Sequence, residues 1–286
     1  MARLPEVTDP RMVPVDGIWC RPDEQRSERW SADAAIDPIH TAISTHGAES
    51  EERKSAPDVA LLLDRALDGL VLDLGCGYGR LAKYTLPVRR FDGYIGLDGS
   101  MTMLRLFWNR YQASAREQTT PLLLINSSID RIVLPDAAVD TVVISGVLLH
   151  NPKAVTRRAL TEVRRVLRPG GRLIVLSDLP NSRTVAAVPG RLYLLALALF
   201  GRGDQNGPVR SYSRREVTDL FAGFSDVDVI TKGHALLPKD LPRVPESVNR
   251  AYRKFVCDPI QWLAERYVPA RTLDRMYGNV SVVATR

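Results

Sequence analysis

The chain has 286 residues, 45% of them apolar, which suits one α/β domain with insertions and a sizeable core. Its formal net charge of +6 is scattered, and the densest spots, Arg157-Arg158 and Arg164-Arg165, fall on one predicted helix as a solvated face, which disfavours a nucleic-acid interface. Three cysteines without C-x-x-C spacing exclude zinc-type ligand spacing and a disulfide framework, so no metal site is expected and a reducing, cytoplasmic setting is.

Residues 1–56 hold Trp19, Trp30, His40 and His46 among Pro, Asp, Arg and Ser. No strand or long helix is predicted there, and the segment is taken as an N-terminal arm or lid, partly helical. It has no signal-peptide pattern. Ser55, Pro57 and Asp58 resemble a helix start, which predicts a helix from Ser55 to about Leu67 ending at Gly69. Leu70 to Leu74 is an apolar run typical of a strand buried on both faces. It leads into V-L-D-L-G-C-G-Y-G-R, with glycines at 75, 77 and 79. Glycine lets backbone approach a ligand closely and tolerates positive φ. The spacing is neither that of a dinucleotide fingerprint nor that of a phosphate loop.

Further strands are predicted at Gly93–Leu97, Pro121–Ile125, Val139–Ser145, Arg172–Ser177, Val227–Thr231 and Asn279–Thr285. Helices are expected over Met101–Tyr111, behind Asn151-Pro152, and after the capping box Ser213-Arg214-Arg215-Glu216. Strands alternating with helices imply a parallel, doubly wound sheet whose ligands sit outside the strands' carboxyl ends. Asp73, Asp98, Ser145 and Asp178 all fall at or just past such ends. The most apolar stretch, Leu192 to Phe200 within the insertion segment Val188 to Phe200, is about half the length of a membrane span. It fits a packed lid helix, a greasy wall for a lipophilic acceptor, or a contact to membrane lipid; no integral membrane association is expected.

Four pieces in order resemble one family. They are V-L-D-L-G-C-G-Y-G-R, I-G-L-D-G-S-M-T-M-L, S-I-D-R-I-V-L-P-D-A-A-V-D-T-V-V-I-S and L-T-E-V-R-R-V-L-R-P-G-G-R-L-I-V. They look like the class I S-adenosylmethionine-dependent methyltransferases, closest to the ubiquinone/menaquinone-biosynthesis-like (type 11) small-molecule group. The resemblance covers about residues 56–179, with a weaker tail at 212–230 and 280–285.

It implies a Rossmann-like α/β fold: a doubly wound, seven-stranded sheet, its last strand antiparallel at the edge. The methyltransferase domain would be 57–286, with substrate-side insertions at about 181–212 and 234–275. It also implies S-adenosylmethionine as cofactor, with backbone at Gly75, Cys76 and Gly77 under the methionine part. Asp73 would order the turn or take the ammonium through water. Asp98, with Gly99 behind it, would accept both ribose hydroxyls. Met101 would flank the adenine, with Ser128, Ile129 and Asp130 on its other side, and Ser145 would meet the methionine end.

Methylation of a hydroxyl needs its proton removed, and a histidine suits that task. The resemblance offers His150, in L-L-H-N-P, with Asp178 assisting; His150 as a structural loop residue is the other reading. The loop departs from the family's commoner HH-x-P-D form. It also lacks the Asn/Asp-Pro-Pro-Tyr run of base and amide N-methyltransferases. The expected reaction is methyl transfer to a small-molecule acceptor, more at oxygen than at nitrogen or carbon. A non-catalytic cofactor-binding module is the alternative. Neither the acceptor nor the oligomeric state is legible.

Overall fold

Apolar runs such as Leu70–Leu74 carry no polar face, so they are stable only with both sides covered. The computed structural model describes residues 4–22, 37–39, 48–65, 69–87, 91–113, 120–181, 210–231, 236–237, 244–269, 272, 276 and 278–286. Strands β1 (Val13–Val15) and β2 (Ile18–Cys20) precede helix α1 (Ala48–Asp64). Then come β3 (Leu70–Leu74), α2 (Arg80–Thr85), β4 (Gly93–Asp98), α3 (Met101–Ala113), β5 (Leu122–Asn126) and β6 (Val139–Ser145). After a short 3₁₀ turn (Leu148–His150) follow α4 (Lys153–Val166), β7 (Leu167–Leu176), α5 (Arg214–Leu220) and β8 (Ser225–Ile230). Helices α6 (Glu246–Tyr252) and α7 (Asp258–Tyr267), joined through a π-helical turn at Arg253–Cys257, lead to β9 (Ser281–Thr285).

The strands form one sheet in the order β1-β2-β5-β4-β3-β6-β7-β9-β8. From β2 to β7 every pairing is parallel, so the crossover helices lie on its faces. The doubly wound α/β class is therefore as expected, with nine strands among the described residues in place of seven. Strand β9 is antiparallel, as expected, but it lies between β7 and β8 rather than at the edge. Since β8 opposes β9 and β9 opposes β7, β8 runs with the parallel set. The segment from Ile230 to Ser281 thus leaves and re-enters the sheet at the rim where the parallel strands end.

The two additional strands lie in the arm predicted to hold none. Asp16 and Gly17 both take positive φ (51° and 81°), the geometry of a two-residue hairpin turn. Strand β2 then adds in parallel to β5, pairing Ile18 with Leu124 and Trp19 with Ile125. Trp19 is therefore a sheet residue packed on the core, not a lid; Trp30, His40, His46 and the segment 188–200 lie outside the described residues. Met12 and Ile18 are buried, and a Cβ on Gly17 would stand 2.5 Å from the Trp108 indole of α3.

Helix α1 begins seven residues before the predicted start and carries Pro57 inside it. Proline there removes one helical hydrogen bond and costs about 3 kcal/mol. The helix tolerates it because Glu51, Ser55, Asp58 and Leu62, spaced 4, 3 and 4 apart, form one stripe, all buried. Helix α4, expected behind Asn151-Pro152, buries Ala159, Leu160, Val163 and Val166, and Ser213 with Glu216 forms the predicted capping box on α5.

Gly17→Ala should cost on the order of 1–3 kcal/mol, from the positive φ and the Trp108 clash. A thermal melt of the purified protein checks this. An unchanged melting temperature would mean that the hairpin does not sit against α3.

Candidate functional site

The turn after β3 is shaped by backbone contacts first. The Gly75 and Cys76 amides donate to the Leu97 carbonyl at 2.7 and 3.2 Å, drawing the turn against the end of β4. Gly75, Gly77 and Gly79 all have positive φ, but their surroundings differ. A Cβ on Gly75 would meet Val147 at 2.3 Å, and one on Gly79 would meet Phe107 at 2.4 Å. Around Gly77 nothing lies within 4 Å of that position. Two glycines are therefore fixed by packing, while Gly77 faces open space where backbone can meet a ligand. The Cys76 thiol is buried, and that burial, with Asp73 and Asp98 nearby, pushes its pKa well above the usual thiol range; it is a packed, neutral residue.

Asp98 ends β4. Its Oδ2 accepts the Gly77 amide at 2.9 Å and its Oδ1 the Ser100 amide at 2.8 Å. Burial raises its pKa, and those two amides oppose the rise. A carboxylate has about four lone-pair sites. Two hold the turns, leaving one on each oxygen for a pair of hydroxyls. Gly99 lies between the two turns, and Met101 opens α3 half-buried against the apolar cluster behind it. The neighbouring strand is tied in through Asn126 Nδ2 and the Ser127 amide, both donating to the Asp98 carbonyl.

Asp73 is buried and accepts the Tyr94 hydroxyl at 2.7 Å. Burial raises its pKa to about 6; the Tyr94 hydroxyl and Arg80 act against that rise, and Asp98 acts with it. Its Oδ2 is thus engaged across the sheet with β4.

Sequence reasoning missed a polar cluster beneath α1. Arg80, buried at the start of α2, donates from Nη1 to Ser55 Oγ at 3.1 Å and from Nη2 to Ser145 Oγ at 2.7 Å. Ser145 donates to Asp58 Oδ2 at 3.0 Å, and Ser177 donates to Asp58 Oδ1 at 2.7 Å. Helix α1 is thereby fastened over the ends of β6 and β7. A second fastening is Glu51, which accepts from Tyr78 (3.0 Å) and Lys83 (2.8 Å). The signal was present in the Glu51, Ser55, Asp58 spacing.

Asp178, just past β7, is fully buried. Its Oδ2 accepts the amides of Val147 and Leu148, both at 2.9 Å, and its Oδ1 that of Leu149 at 3.2 Å. Both oxygens thus grip the loop that carries half-buried His150, whose own amide closes on the Val147 carbonyl at 3.1 Å. Burial pushes the Asp178 pKa up to about 7, opposed by the three amides and assisted by Asp58.

Ser128, Ile129 and Asp130 follow β5. Asp130 accepts from Ser128 Oγ at 2.5 Å and from Arg158 at 2.7 and 2.9 Å. Burial raises its pKa, but Ser128 and Arg158 outweigh this and hold it below the usual range. The adjacent Arg131 reaches Asp9 at 2.6 Å, so the arm braces this loop from outside. The structure thus gathers Asp73, Gly75, Cys76, Gly77, Asp98 and Gly99 at one rim. It ties Ser145 to Arg80, and Asp178 to the His150 loop.

Residues 72–175 match the family model described as a methyltransferase domain. A 37.1 kDa protein of transposon Tn4556 from Streptomyces fradiae is 36% identical over 134 residues, covering 45% of this chain and 36% of that protein. The demethylmenaquinone methyltransferase of Thermus thermophilus is 28% identical over 170 residues, 59% of this chain and 73% of that enzyme. An S-adenosylmethionine-dependent methyltransferase from Archaeoglobus fulgidus has the same fold, with a TM-score of 0.50 at 17% identity, covering 82% of this chain and 94% of that one. The chain spans 36% and 29% of the length of the first two curated relatives it matches. With its sheet order and glycine turn, the matched segment resembles the class I S-adenosylmethionine-dependent methyltransferases of the type 11 family, and the solved structure shares its fold. The open space at Gly77 and the two remaining acceptor positions of Asp98 fit S-adenosylmethionine, the cofactor that the resemblance implies.

Two outcomes follow. Gly77→Ala should cost the fold only about 1 kcal/mol of left-handed strain, yet weaken S-adenosylhomocysteine binding by at least about tenfold in calorimetry, because the new methyl enters the open space. Equal affinity would place the cofactor elsewhere. For Asp178 the sign is set by its rise from 3.8 to about 7 on folding. The folded state binds the extra proton in that window, so stability from this group falls as pH rises through it. The melting temperature of wild type minus that of Asp178→Asn should be larger at about pH 5 than at about pH 8. A constant difference would contradict the burial of this carboxyl.

Proposed function

We propose that the chain methylates a hydroxyl of a small-molecule acceptor in the cytoplasm, with His150 as the base. The observation that carries this reading is the grip of Asp178 on three consecutive amides of the loop presenting His150. A buried carboxylate held this way fixes a loop within a narrow range of geometry, as a proton-transfer group requires. In this reading Asp178 assists by positioning His150, not by taking the proton itself.

Asp98 would hold the cofactor's ribose, Gly75 to Gly77 would lie under its methionine part, and Met101, Gly99, Ser128, Ile129 and Asp130 would border its adenine. Ser145, which accepts from Arg80, would meet the methionine end. The bound cofactor supplies a methyl on a sulfonium, a good leaving group for in-line displacement. His150 takes the acceptor's hydroxyl proton as the oxygen forms its new bond to carbon. The carbon–sulfur electron pair would leave with sulfur, giving a neutral thioether and a methyl ether. Holding the reacting groups in line supplies up to about 7–11 kcal/mol of such a barrier. The name of the Thermus relative, a demethylmenaquinone methyltransferase, supports a small-molecule acceptor. Buried thiols not joined in a disulfide at Cys20, Cys76 and Cys257 support a reducing compartment.

His150→Ala should leave S-adenosylhomocysteine affinity within about threefold and reduce methyl transfer by roughly 10²–10⁴-fold. The measurement is S-adenosylhomocysteine release with a panel of hydroxylated acceptors. Full turnover by the variant would remove His150 as the base.

A further inference from the structure

Eleven large apolar side chains stand exposed among the described residues, and seven of them fall between Val248 and Tyr267. That concentration marks a built surface, because isolated exposed apolar residues are ordinary and clustered ones are not. Phe255 is 70% exposed, Trp262 59% and Tyr267 69%. Val256, Ile260, Leu263 and Tyr267 recur at spacings of 4, 3 and 4, one stripe of the helix. Phe255 and Trp262, seven apart, widen the stripe on one side. The opposite side is anchored: Cys257 and Ala264, also seven apart, are buried, and Ala264 packs with Leu236. The apolar stripe therefore faces outward by construction.

The charges on this segment are sorted in the same way. Asp258 and Glu265, seven apart, share a different side, and Glu265 accepts from Gln261 there at 2.5 Å. Inside the apolar face the charged side chain is Arg266, lying over Trp262 and Tyr267 with ring distances of 5.9 and 5.8 Å. At its border Lys254 lies over Phe255 at 5.4 Å. Cations laid along aromatic rings keep their charged heads at the edge of a greasy surface, the pattern of a helix lying in a lipid interface. No helix among the described residues is long and apolar enough to cross a membrane. The segment 246–267 spans about 30 Å, a length that a fluid surface follows without matching pockets.

We propose that the Arg253–Cys257 turn and α7 form a docking face for an anionic lipid surface, with Phe255, Ile260, Trp262, Leu263 and Tyr267 entering the acyl boundary and Lys254 and Arg266 meeting phosphates. The chain's net charge of +6 complements such a surface. The face belongs to the segment that leaves and re-enters the sheet at the rim of the cofactor turn. A docked protein would present that segment, on the acceptor side, to molecules dissolved in the lipid. The docking itself does not depend on the chemistry proposed for His150.

The test is co-sedimentation of the full chain with vesicles of mixed phosphatidylcholine and phosphatidylglycerol, beside vesicles of phosphatidylcholine alone. Binding to the mixed vesicles is expected, with the Trp262→Glu/Leu263→Glu variant bound at least about tenfold more weakly. That variant changes exposed positions, and undiminished S-adenosylhomocysteine binding would show that it is folded. The variant Arg157→Glu/Arg164→Glu, on α4, should still bind the vesicles. Three results would overturn the proposal: no vesicle binding by wild type, equal binding by the Trp262/Leu263 variant, or a self-associated wild type that this variant converts to monomer. The last would assign the face to a second copy of the chain.

Discussion

The carboxylate of Asp98 holds together the two turns on which the site is built. One oxygen receives the Gly77 amide and the other the Ser100 amide. A glycine with positive φ and empty space around it has no side chain to fix it, so its position must come from its backbone partners. The Leu97 carbonyl supplies the rest, taking the Gly75 and Cys76 amides. The strand that ends in Asp98 is therefore the template for the turn after the neighbouring strand. Parallel pairing of Asp73 with Gly96 and Leu74 with Leu97 brings the two ends level. A one-residue slip would move every side chain to the other face and separate Asp98 from Gly77.

The cover over this site is held by polar contacts. Helix α1 buries Glu51, Ser55 and Asp58, and each finds a partner on the elements below: Tyr78 and Lys83, Arg80, Ser145 and Ser177. An apolar helix face could slide over the sheet ends with little loss. A stripe of buried hydrogen bonds cannot, because each broken bond leaves a desolvated group. The contacts also run through Ser145, expected to border the cofactor, so the cover and that border are set by one network.

How much of this was legible depended on whether a signal was local. The strand at Val139–Ser145 was read residue for residue, because a nearly all-apolar run bounded by polar residues has one explanation. The hairpin at residues 13–20 was missed although Asp16-Gly17 between β-branched residues is a strong turn signal. Its strands are only three residues long, too short for a period to emerge. Pro57 suggested a helix start, but the buried stripe two turns either side of it decided the matter. The placement of the last strand inside the sheet is a non-local pairing, and no feature of residues 281–285 announces which neighbours it takes. Asp98 and the glycines were singled out from spacing, and the structure brings them to one rim. Arg80 and Asp58, a buried pair 3.7 Å apart, were not singled out, because a buried ion pair cannot be told from a surface pair until the helix carrying Asp58 is placed.

The distribution of charge completes the logic. Asp73, Asp98 and Asp178 are buried at the strand ends, and burial raises the pKa of each. A closer cation would relieve that cost, and the chain has them: Arg158, Arg165 and Arg168 neutralise Asp130, Asp136 and Asp140 elsewhere. At the strand ends the partners of Asp98 and Asp178 are backbone amides instead. Amides fix direction without cancelling charge, so a carboxylate they hold keeps lone pairs and negative potential for a ligand. An arginine fork at Asp98 would occupy both acceptor positions that the Gly77 and Ser100 amides leave open. The raised pKa values of the three acids are thus the cost of holding backbone and the Tyr94 hydroxyl without a closer cation, and the sheet beneath them, with Leu72, Ile95, Val142 and Ile174 fully buried, offsets it.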